Sequence, residues 1–585
     1  MPLKTPDVTF FHPPAVYDFR DRPGFYGPIS DVVPSSPIFE MYPVGLTSLA
    51  DYLERNGYGA QIVNLAHNML RDEDYSVERE IRRCGSSYMG IDLHWLPHAH
   101  GAIEIAKLIT SIHPDVPVIL GGMSATYFHD EVIEYSAVDY VIRGDSAEKP
   151  LLELLETLED DGDLSSVPNL TYIDDRGNVV ANPLSWVPDT LDYTAVPSYT
   201  YVIRSVMKYG GLQKVMPYRG WIESPVTMLL TSRGCSLDCV HCGGSKGNYR
   251  DTFGRDSPAM RSPEKLTADV RSIASFSDGP IFVVNDIRLG GRETAMRFLE
   301  NLGETDVENE FVFEVFWPGD REFYEAIDDA VSSWRLEFSP EGYSREVRQH
   351  LDKFNGPLEA IEDSMADAYE SGCKSIDLFF LIGLPHQTTE EVLETVDYCD
   401  RLLERFEDNT LKPFIAPLAP FLDPGSPAFE TPDEYGYTRF CESFEDHRRQ
   451  LLEPSWARML SFETEWMSRE EIVAVTYEAA RRLNRIKYNH GVIDEATFER
   501  VNDRIDASEA IVEAIETIVD LPPGQREVQL RNLEDEMLTD GTYSICGDEE
   551  LELSWRNSGL KDAKTLTTLA VRIAVNDVKR RVFGR

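Results

Sequence analysis

Short apolar runs rich in β-branched and aromatic residues alternate with amphipathic segments of helical period along much of this chain. Five such runs occur before residue 165, at 7–14, 60–65, 87–95, 116–122 and 138–144. Apolar strands separated by helices are typical of parallel sheets, because parallel neighbours need a crossover connection that is usually a helix. The pattern predicts an α/β unit over residues 1–165, a flavodoxin-like (Rossmann-type) doubly wound parallel sheet.

A second series of apolar runs follows in the middle of the chain. Its six members are 224–235, 280–286, 311–318, 334–341, 375–385 and 412–424. Six strands separated by helices predict an open (β/α)6 partial TIM barrel over residues 221–430. Residues 166–220 are predicted to be a connector that contains one hairpin, and residues 431–585 to be a mainly helical region.

The strongly negative net charge of the chain bears on its partners and its environment. Lys and Arg number 56 against 102 Asp and Glu, which gives a net charge of -46 spread along the whole chain. Nucleic acid is a disfavoured partner, because phosphates need a basic patch. The acidity instead suggests a salty cytoplasm, as in a halophilic archaeon. No run approaches the ~20 apolar residues of a membrane span, and no basic and apolar leader opens the sequence. We therefore expect a cytoplasmic protein without a transmembrane segment.

Three of the eight cysteines, Cys235, Cys239 and Cys242, lie within eight residues, directly after an apolar strand. Thiolates select zinc or iron–sulfur clusters. A structural zinc site uses four protein ligands, and no second cysteine pair lies nearby in the sequence. Iron–sulfur clusters with four irons also usually take four cysteines, so three would leave one iron open to a small molecule. The other cysteines are scattered and are predicted to be buried core thiols: Cys84, Cys373, Cys399, Cys441 and Cys546.

This spacing, placed after the first strand of a (β/α)6 series, closely resembles the radical SAM superfamily. The resemblance implies that the three cysteines bind a 4Fe-4S cluster and that S-adenosylmethionine (SAM) chelates its fourth iron. The reduced cluster would then cleave SAM to methionine and a 5′-deoxyadenosyl radical. No further catalytic residue is assigned.

The resemblance also implies four SAM-binding residues. His241 occupies the place of an aromatic residue that lies near the adenine, and Glu341 matches a carboxylate near the bound SAM. The alternative for Glu341 is an ordinary carboxylate in the first turn of a helix. The family's Gly-Gly-Glu element is absent, so Asn285 or Asp286 takes its place. Gly383, in a Gly-Leu-Pro element, shapes the pocket.

Residues 42–65 and 116–155 resemble a cobalamin (B12)-binding domain that is fused to many radical SAM enzymes. Gly121 and Gly122 end a predicted strand, where glycine permits close approach of a ligand to the backbone. Ser124 is placed to hydrogen-bond that ligand. The resemblance therefore implies bound cobalamin at these three residues.

Three histidines, His94, His98 and His100, follow the third predicted strand. They could approach cobalt, a substrate or a metal ion; the alternative is the start of a helix with polar caps, next to a Trp95 packed at an interface. The loop after the first strand lacks the Asp-x-His-x-x-Gly motif of some cobalamin domains. The resemblance thus implies cobalamin bound without a histidine ligand.

Taken together, the resemblance implies a radical SAM enzyme that methylates an unactivated carbon with the help of cobalamin. One alternative is a cyclase, carbon–carbon coupling or oxidation enzyme whose cobalamin domain does not transfer methyl groups. Another is a regulator that binds cobalamin or SAM without turnover. The implied partners are a small-molecule or lipid substrate and a reducing protein such as ferredoxin or flavodoxin.

Overall fold

The structure is a computed structural model that describes residues 4–21, 43–194, 200–218, 227–275, 277–418, 420–534 and 545. In these ranges the N-terminal sheet has seven strands in the order β2-β1-β3-β4-β5-β6-β7. The strands are β1 (Val8–His12), β2 (Ala60–Asn64), β3 (Tyr88–Asp92), β4 (Val118–Gly121), β5 (Tyr140–Ile142), β6 (Leu170–Ile173) and β7 (Val179–Ala181). The first five pair in parallel, which confirms the five predicted strands and the doubly wound fold.

Helices cover both faces of this sheet, so every residue of β1, β2 and β3 is buried. This burial explains why those strands are nearly continuous apolar runs. The helices are α1 (Val44–Arg55), α2 (Leu65–Arg71), α3 (Val77–Arg83), α4 (Ala99–Ile112), α5 (Met123–Tyr127), α6 (His129–Val132), α7 (Glu148–Glu159) and α8 (Thr200–Tyr209).

The hairpin predicted between the two series is present as β6 and β7. It pairs antiparallel with β5 and so extends the N-terminal sheet by two strands. The sequence did not indicate this pairing, because the residues of a hairpin predict its turn and its two strands but not the sheet edge to which the hairpin binds.

The second sheet has six parallel strands in the order β15-β14-β13-β12-β11-β8. Its strands are β8 (Thr227–Leu230), β11 (Ile281–Val284), β12 (Phe311–Val315), β13 (Trp334–Glu341), β14 (Ile376–Ile382) and β15 (Leu411–Pro417). Two short strands, β9 (Ser232–Arg233) and β10 (Ala259–Met260), form a separate antiparallel pair. Strands β8 and β15 are the two ends of the order, so the barrel is open, as predicted.

Helices pack on the outer face of this barrel. They are α9 (Lys246–Phe253), α10 (Pro263–Ala274), α11 (Arg292–Gly303), α12 (Arg321–Ala330), α13 (Arg345–Arg348), α14 (Leu358–Glu370) and α15 (Thr389–Arg405). Ser262 caps α10 by accepting from the Lys265 N–H, and Pro263 occupies the first helical position, where no N–H is needed. Thr388 caps α15 in a reciprocal capping box with Glu391.

The inner face of the barrel is more accessible than the outer face. Residues of β8 and β11 alternate between buried positions, which pack against the helices, and partly exposed positions on the other face. Leu230 and Val284 are such inner positions and are neighbours in register, as are Glu314 and Glu337 further round the sheet. A partly open, partly polar lumen therefore lies next to the carboxyl ends of the strands.

The region after residue 430 is mainly helical in the part that the structure describes, as predicted. With the preceding turn it comprises α16 (Pro427–Glu430), β16 (Tyr437–Arg439), α17 (Phe444–Gln450), α18 (Trp456–Met459), β17 (Phe462–Thr464), α19 (Arg469–Asn489), α20 (Glu495–Val519) and α21 (Pro523–Glu534). Strands β16 and β17 form a small antiparallel sheet that the sequence did not indicate. No helix in the described ranges is long and apolar enough to cross a membrane.

The scattered cysteines behave largely as predicted. Cys373, Cys399 and Cys441 are buried, and Cys84 is partly buried. Cys546 lies outside the described residues.

Candidate functional site

The three-cysteine loop lies between β9 and α9, at the carboxyl end of the first barrel strand. Backbone N–H groups donate to two of its sulfurs: Leu237 to Cys235 Sγ at 3.4 Å and Gly244 to Cys242 Sγ at 3.3 Å. Burial raises the pKa of Cys239, and it raises the pKa of Cys242 to about 12. Such thiols lose their protons when a metal binds them, and N–H donors aimed at sulfur are typical of iron–sulfur sites.

The spacing of these thiols distinguishes between a single ion and a cluster. Within the described residues, one group of at least three ligand-capable side chains has all its ligand atoms within 4.8 Å of one another, and it does not contain the cysteines. Four sulfurs around one zinc ion would lie about 3.8 Å apart, given a Zn–S distance of about 2.3 Å. The loop therefore fits a larger cluster better than a single zinc ion.

Glu341 lies beside this loop as the last residue of β13, with a left-handed backbone at φ +67°. The alternative, that Glu341 is an ordinary carboxylate in the first turn of a helix, is wrong, because the next helix, α13, begins four residues later. Glu341 Oε1 contacts Lys353 Nζ at 2.7 Å and His241 Nε2 at 3.6 Å. Burial alone would raise the pKa of Glu341, but the charges of Lys353 and His241 lower it to about 2.

Two atoms of this group have no hydrogen-bond partner although they are buried. They are His241 Nδ1 and Glu341 Oε2. Unsatisfied polar atoms are uncommon in buried positions because each costs about 1–3 kcal/mol. Glu341 Oε2 is therefore available to accept, and His241 Nδ1 to donate, a hydrogen bond with a polar ligand next to the cysteines.

The other two residues assigned to SAM lie at the same edge of the sheet. Asn285 follows β11 with φ +68°, donates its N–H to Glu314 Oε2 at 2.8 Å, and donates its amide to Ser232 Oγ at 3.1 Å. Asp286 instead accepts from Arg288, to which it is paired at 2.6 Å, so Asn285 is the more available of the two.

Gly383 follows β14 with φ +96°, a conformation that favours glycine. Its N–H donates to Gln387 Oε1 at 2.9 Å, and its carbonyl accepts from Tyr437 at 2.9 Å. The structure thus brings His241 and Glu341 together, whereas the contacts of Asn285 and Gly383 are to other neighbours.

Asp423, which the sequence did not indicate, connects the cysteine loop to the N-terminal unit. Its Oδ2 accepts from the Gly243 N–H at 3.0 Å, and its Oδ1 accepts from Trp95 Nε1 at 2.8 Å. Trp95 follows β3, and the interface at which it was predicted to pack is the contact between the N-terminal unit and the barrel. Burial raises the pKa of Asp423.

Two buried ion pairs join the same two units. Arg233 Nη2 lies 2.7 Å from Glu148 Oε1, and Arg255 Nη2 lies 2.8 Å from Asp145 Oδ1. Because Asp145 and Glu148 follow β5, these pairs place the carboxyl end of the N-terminal sheet against the cysteine side of the barrel.

The residues assigned to cobalamin lie at that carboxyl end. Gly122 has φ +123°, and a Cβ added there would lie 2.4 Å from His94 Cα. Gly122 therefore permits close packing of the chain's own loop after β3 against the end of β4. A Cβ at Gly121 would meet only Ile142 O at 3.5 Å, and Ser124 is buried.

Histidines surround Asp92 at the end of β3. His12 Nδ1, at the end of β1, lies 3.0 Å from Asp92 Oδ2, and His94 Nδ1 lies 3.2 Å from the same oxygen. Asp92, His94 and His98 are the group whose ligand atoms lie within 4.8 Å of one another. His100 instead accepts from the Tyr17 N–H at 3.2 Å. His12 was missed from the sequence because it lies 80 residues from Asp92.

Comparisons with known proteins agree with this architecture. The family model described as B12 binding domain matches residues 32–154, and the model described as Radical SAM superfamily matches residues 229–399. An uncharacterized methyltransferase of Pyrococcus horikoshii is 23% identical over 370 residues, which is 62% of this chain and 73% of that protein. The anaerobic magnesium-protoporphyrin IX monomethyl ester cyclase of Rubrivivax gelatinosus is 24% identical over 42% of this chain and 41% of its own length.

Two solved structures share the fold over most of the chain. The radical S-adenosylmethionine methyltransferase TsrM from Kitasatospora setae, with cobalamin and an iron–sulfur cluster bound, has a TM-score of 0.58 at 16% identity and covers 91% of this chain and 100% of its own. The cobalamin-dependent S-adenosylmethionine radical enzyme OxsB has a TM-score of 0.53 at 14% identity and covers 99% of this chain and 81% of its own.

Proposed function

We propose that this chain, which joins a B12-binding domain to a radical SAM domain, uses cobalamin and SAM to methylate an unactivated carbon of a small-molecule or lipid substrate. The cluster would be held by Cys235, Cys239 and Cys242. SAM would contact His241 and Glu341, and the corrinoid would lie at the carboxyl end of the N-terminal sheet. A reducing protein such as ferredoxin or flavodoxin would supply electrons.

The observation that carries the proposal is the pairing of an incomplete thiol set with unsatisfied polar atoms. Three cysteines leave one ligand position to a small molecule, and His241 Nδ1 and Glu341 Oε2 lie beside them without partners. A ligand that completes the cluster would therefore also find a donor and an ionised acceptor. When bound, the cluster would supply the electron that opens a carbon–sulfur bond of SAM, and the corrinoid would supply the methyl group.

The protein's own residues bind, orient and exclude water. Lys353 holds the Glu341 carboxylate ionised at neutral pH, so that Oε2 accepts hydrogen bonds from ligand hydroxyl or ammonium groups. The N–H groups of Leu237 and Gly244 stabilise negative charge on the thiolate sulfurs. The Asp423 bridge keeps the N-terminal sheet next to the cysteine loop, which limits the water between them.

The first experiment tests the cluster and SAM cleavage. The full chain is reconstituted anaerobically with iron, sulfide and cobalamin, reduced, and supplied with SAM. We expect about four irons per chain and production of 5′-deoxyadenosine. Cys239→Ala should abolish both, whereas Cys84→Ala, which removes a thiol far from the loop in sequence, should leave both intact. Retained SAM cleavage in Cys239→Ala would contradict the cluster assignment.

The second experiment separates methyl transfer from the other reaction classes. SAM with a deuterated methyl group is supplied, and S-adenosylhomocysteine and deuteromethyl cobalamin are measured by mass spectrometry. Methyl transfer predicts both products, each dependent on cobalamin. 5′-Deoxyadenosine without either would favour a non-methylating reaction, such as that of the related cyclase, and no SAM turnover at all would favour a regulator.

A further inference from the structure

The Asp92 group lies where the chain order of the N-terminal sheet reverses. In the order β2-β1-β3-β4-β5, the connection after β1 runs toward β2 at one edge of the sheet, whereas the connection after β3 runs toward β4 in the opposite direction. Ligands of open α/β sheets bind in the crevice that this reversal creates outside the carboxyl ends of the strands. His12 is the last residue of β1 and Asp92 is the last residue of β3, so both lie at the crevice.

The donors in this crevice lie close enough together to bind one ion. One ligand atom of each of Asp92, His94 and His98 lies within 4.8 Å of those of the other two. His94 Nδ1 lies 3.2 Å from Asp92 Oδ2, and the rings of His94 and His98 have centroids 4.9 Å apart. Imidazole and carboxylate together suit transition metals such as zinc, iron or cobalt.

Burial argues that the arrangement is built and not accidental. His12 and His98 are completely buried, Asp92 is 4% exposed, and the His94 side chain is 25% exposed. A single histidine would suffice to neutralise one buried carboxylate, whereas three imidazoles converge here. His94 is the member whose ring is most accessible, and it is oriented by Asp92 in the way that carboxylates orient metal-bound histidines.

We propose that His94, oriented by Asp92, is a nitrogen ligand to a transition metal ion at this crevice. The ion is either the cobalt of a corrinoid, with His94 as its axial ligand, or a free divalent cation that His98 also binds. The first source rests on the proposed cobalamin binding, and the second does not. A corrinoid bound through His94 would differ from the histidine-free binding that the family resemblance implied.

The test for the corrinoid source is electron paramagnetic resonance of the full chain loaded with cob(II)alamin. An axial nitrogen splits the cobalt lines into triplets, and a water ligand does not. Labelling the histidines with ¹⁵N converts the triplets to doublets only if the nitrogen belongs to the protein and not to the corrinoid's own base. We expect triplets in the native chain, their loss in His94→Gln, and their retention in the control His113→Gln. His113 follows the last residue of α4, and its Nε2 donates to Ile81 O at 2.8 Å, away from the crevice.

The test for the free ion omits the corrinoid. The full chain is dialysed against a chelator and titrated with zinc, and bound metal is counted by elemental analysis. Loss of one zinc per chain in both His94→Gln and His98→Gln, but not in His113→Gln, would identify a free-ion site. Asp92→Asn should then weaken zinc binding about 10- to 100-fold. Circular dichroism establishes that each variant is folded, and the two histidine variants serve as independent checks.

The outcomes separate this inference from the proposed function. Retained corrinoid without nitrogen splitting, together with an unchanged zinc count, would overturn the inference and leave the proposed function intact. A native chain that retains no corrinoid would contradict the cobalamin part of the proposed function. The zinc count would then decide the inference alone.

Discussion

Exchanging each of two adjacent glycines for alanine should have opposite consequences. Gly122 has φ +123° and ψ 178°, a region that is occupied almost only by glycine. A Cβ there would lie 2.4 Å from His94 Cα and 2.5 Å from His94 N, so backbone would have to move. Gly121 belongs to β4, and its Cβ would make an ordinary 3.5 Å contact with Ile142 O.

The expected magnitude for Gly122→Ala follows from two costs. The backbone conformation costs an alanine about 1–3 kcal/mol, and overpacking against rigid backbone costs about 1–3 kcal/mol more. We therefore expect a loss of about 3 kcal/mol or more. A domain of about 150–250 residues loses about 2–4 °C of melting temperature per kcal/mol. Gly122→Ala should therefore lower the transition of the N-terminal unit by about 6–12 °C.

Gly121→Ala is the matched control, because its backbone is compatible with alanine. Its melting temperature should equal that of the native chain or rise slightly, since alanine reduces the entropy of the unfolded chain. The assay is thermal unfolding of the anaerobically purified full chain by circular dichroism. If Gly122→Ala melts like the native chain, or if both variants lose the same stability, the packing of the β3 loop against Gly122 does not have the role described above.

Three further predictions concern buried charges. Lys353→Met should cost about 3–5 kcal/mol in urea unfolding by leaving the Glu341 carboxylate without its cation. Adding Glu341→Gln should restore most of that loss; no recovery would contradict the pairing. Burial lowers the pKa of His447 to about 4, below its ordinary value of 6.5. As the pH falls, this histidine is protonated in the unfolded chain before it is protonated in the folded chain. The free energy of unfolding should therefore fall by about 3 kcal/mol between pH 6.5 and 4. His447→Phe should flatten this dependence of the free energy of unfolding on pH. An unchanged dependence would mean that another group causes it. Asp423→Ala should cost about 2 kcal/mol or more and change the fluorescence of Trp95, and an unchanged spectrum would argue against the bridge.

The sequence predicted the two sheets well because their signals are local. Each strand is an apolar run bounded by polar turns, and each helix carries its own period and cap, as Ser262 and Thr388 illustrate. The cysteine loop was equally accessible, because its three ligands lie within eight residues.

Contacts between distant segments were not predictable in the same way. Lys353 reaches Glu341 from beyond β13, and Asp423 meets Trp95 across 328 residues. Neither residue belongs to a motif with a recognisable spacing. The packing of His94 against Gly122 was not predicted for the same reason, because a glycine after a strand indicates that something approaches closely but not which segment of the chain it is.

The polar contacts between the N-terminal unit and the barrel also limit how such proteins can evolve. Gene fusion could join any sheet domain to any barrel, yet here Asp423, Glu148 and Asp145 each need a specific partner on the opposite unit. A chimaera that exchanged one unit for that of a distant relative would leave buried charges unpaired, at about 3–5 kcal/mol for each broken ion pair. We therefore expect the two units to be inherited as a matched pair, with substitutions at this boundary occurring together on both sides.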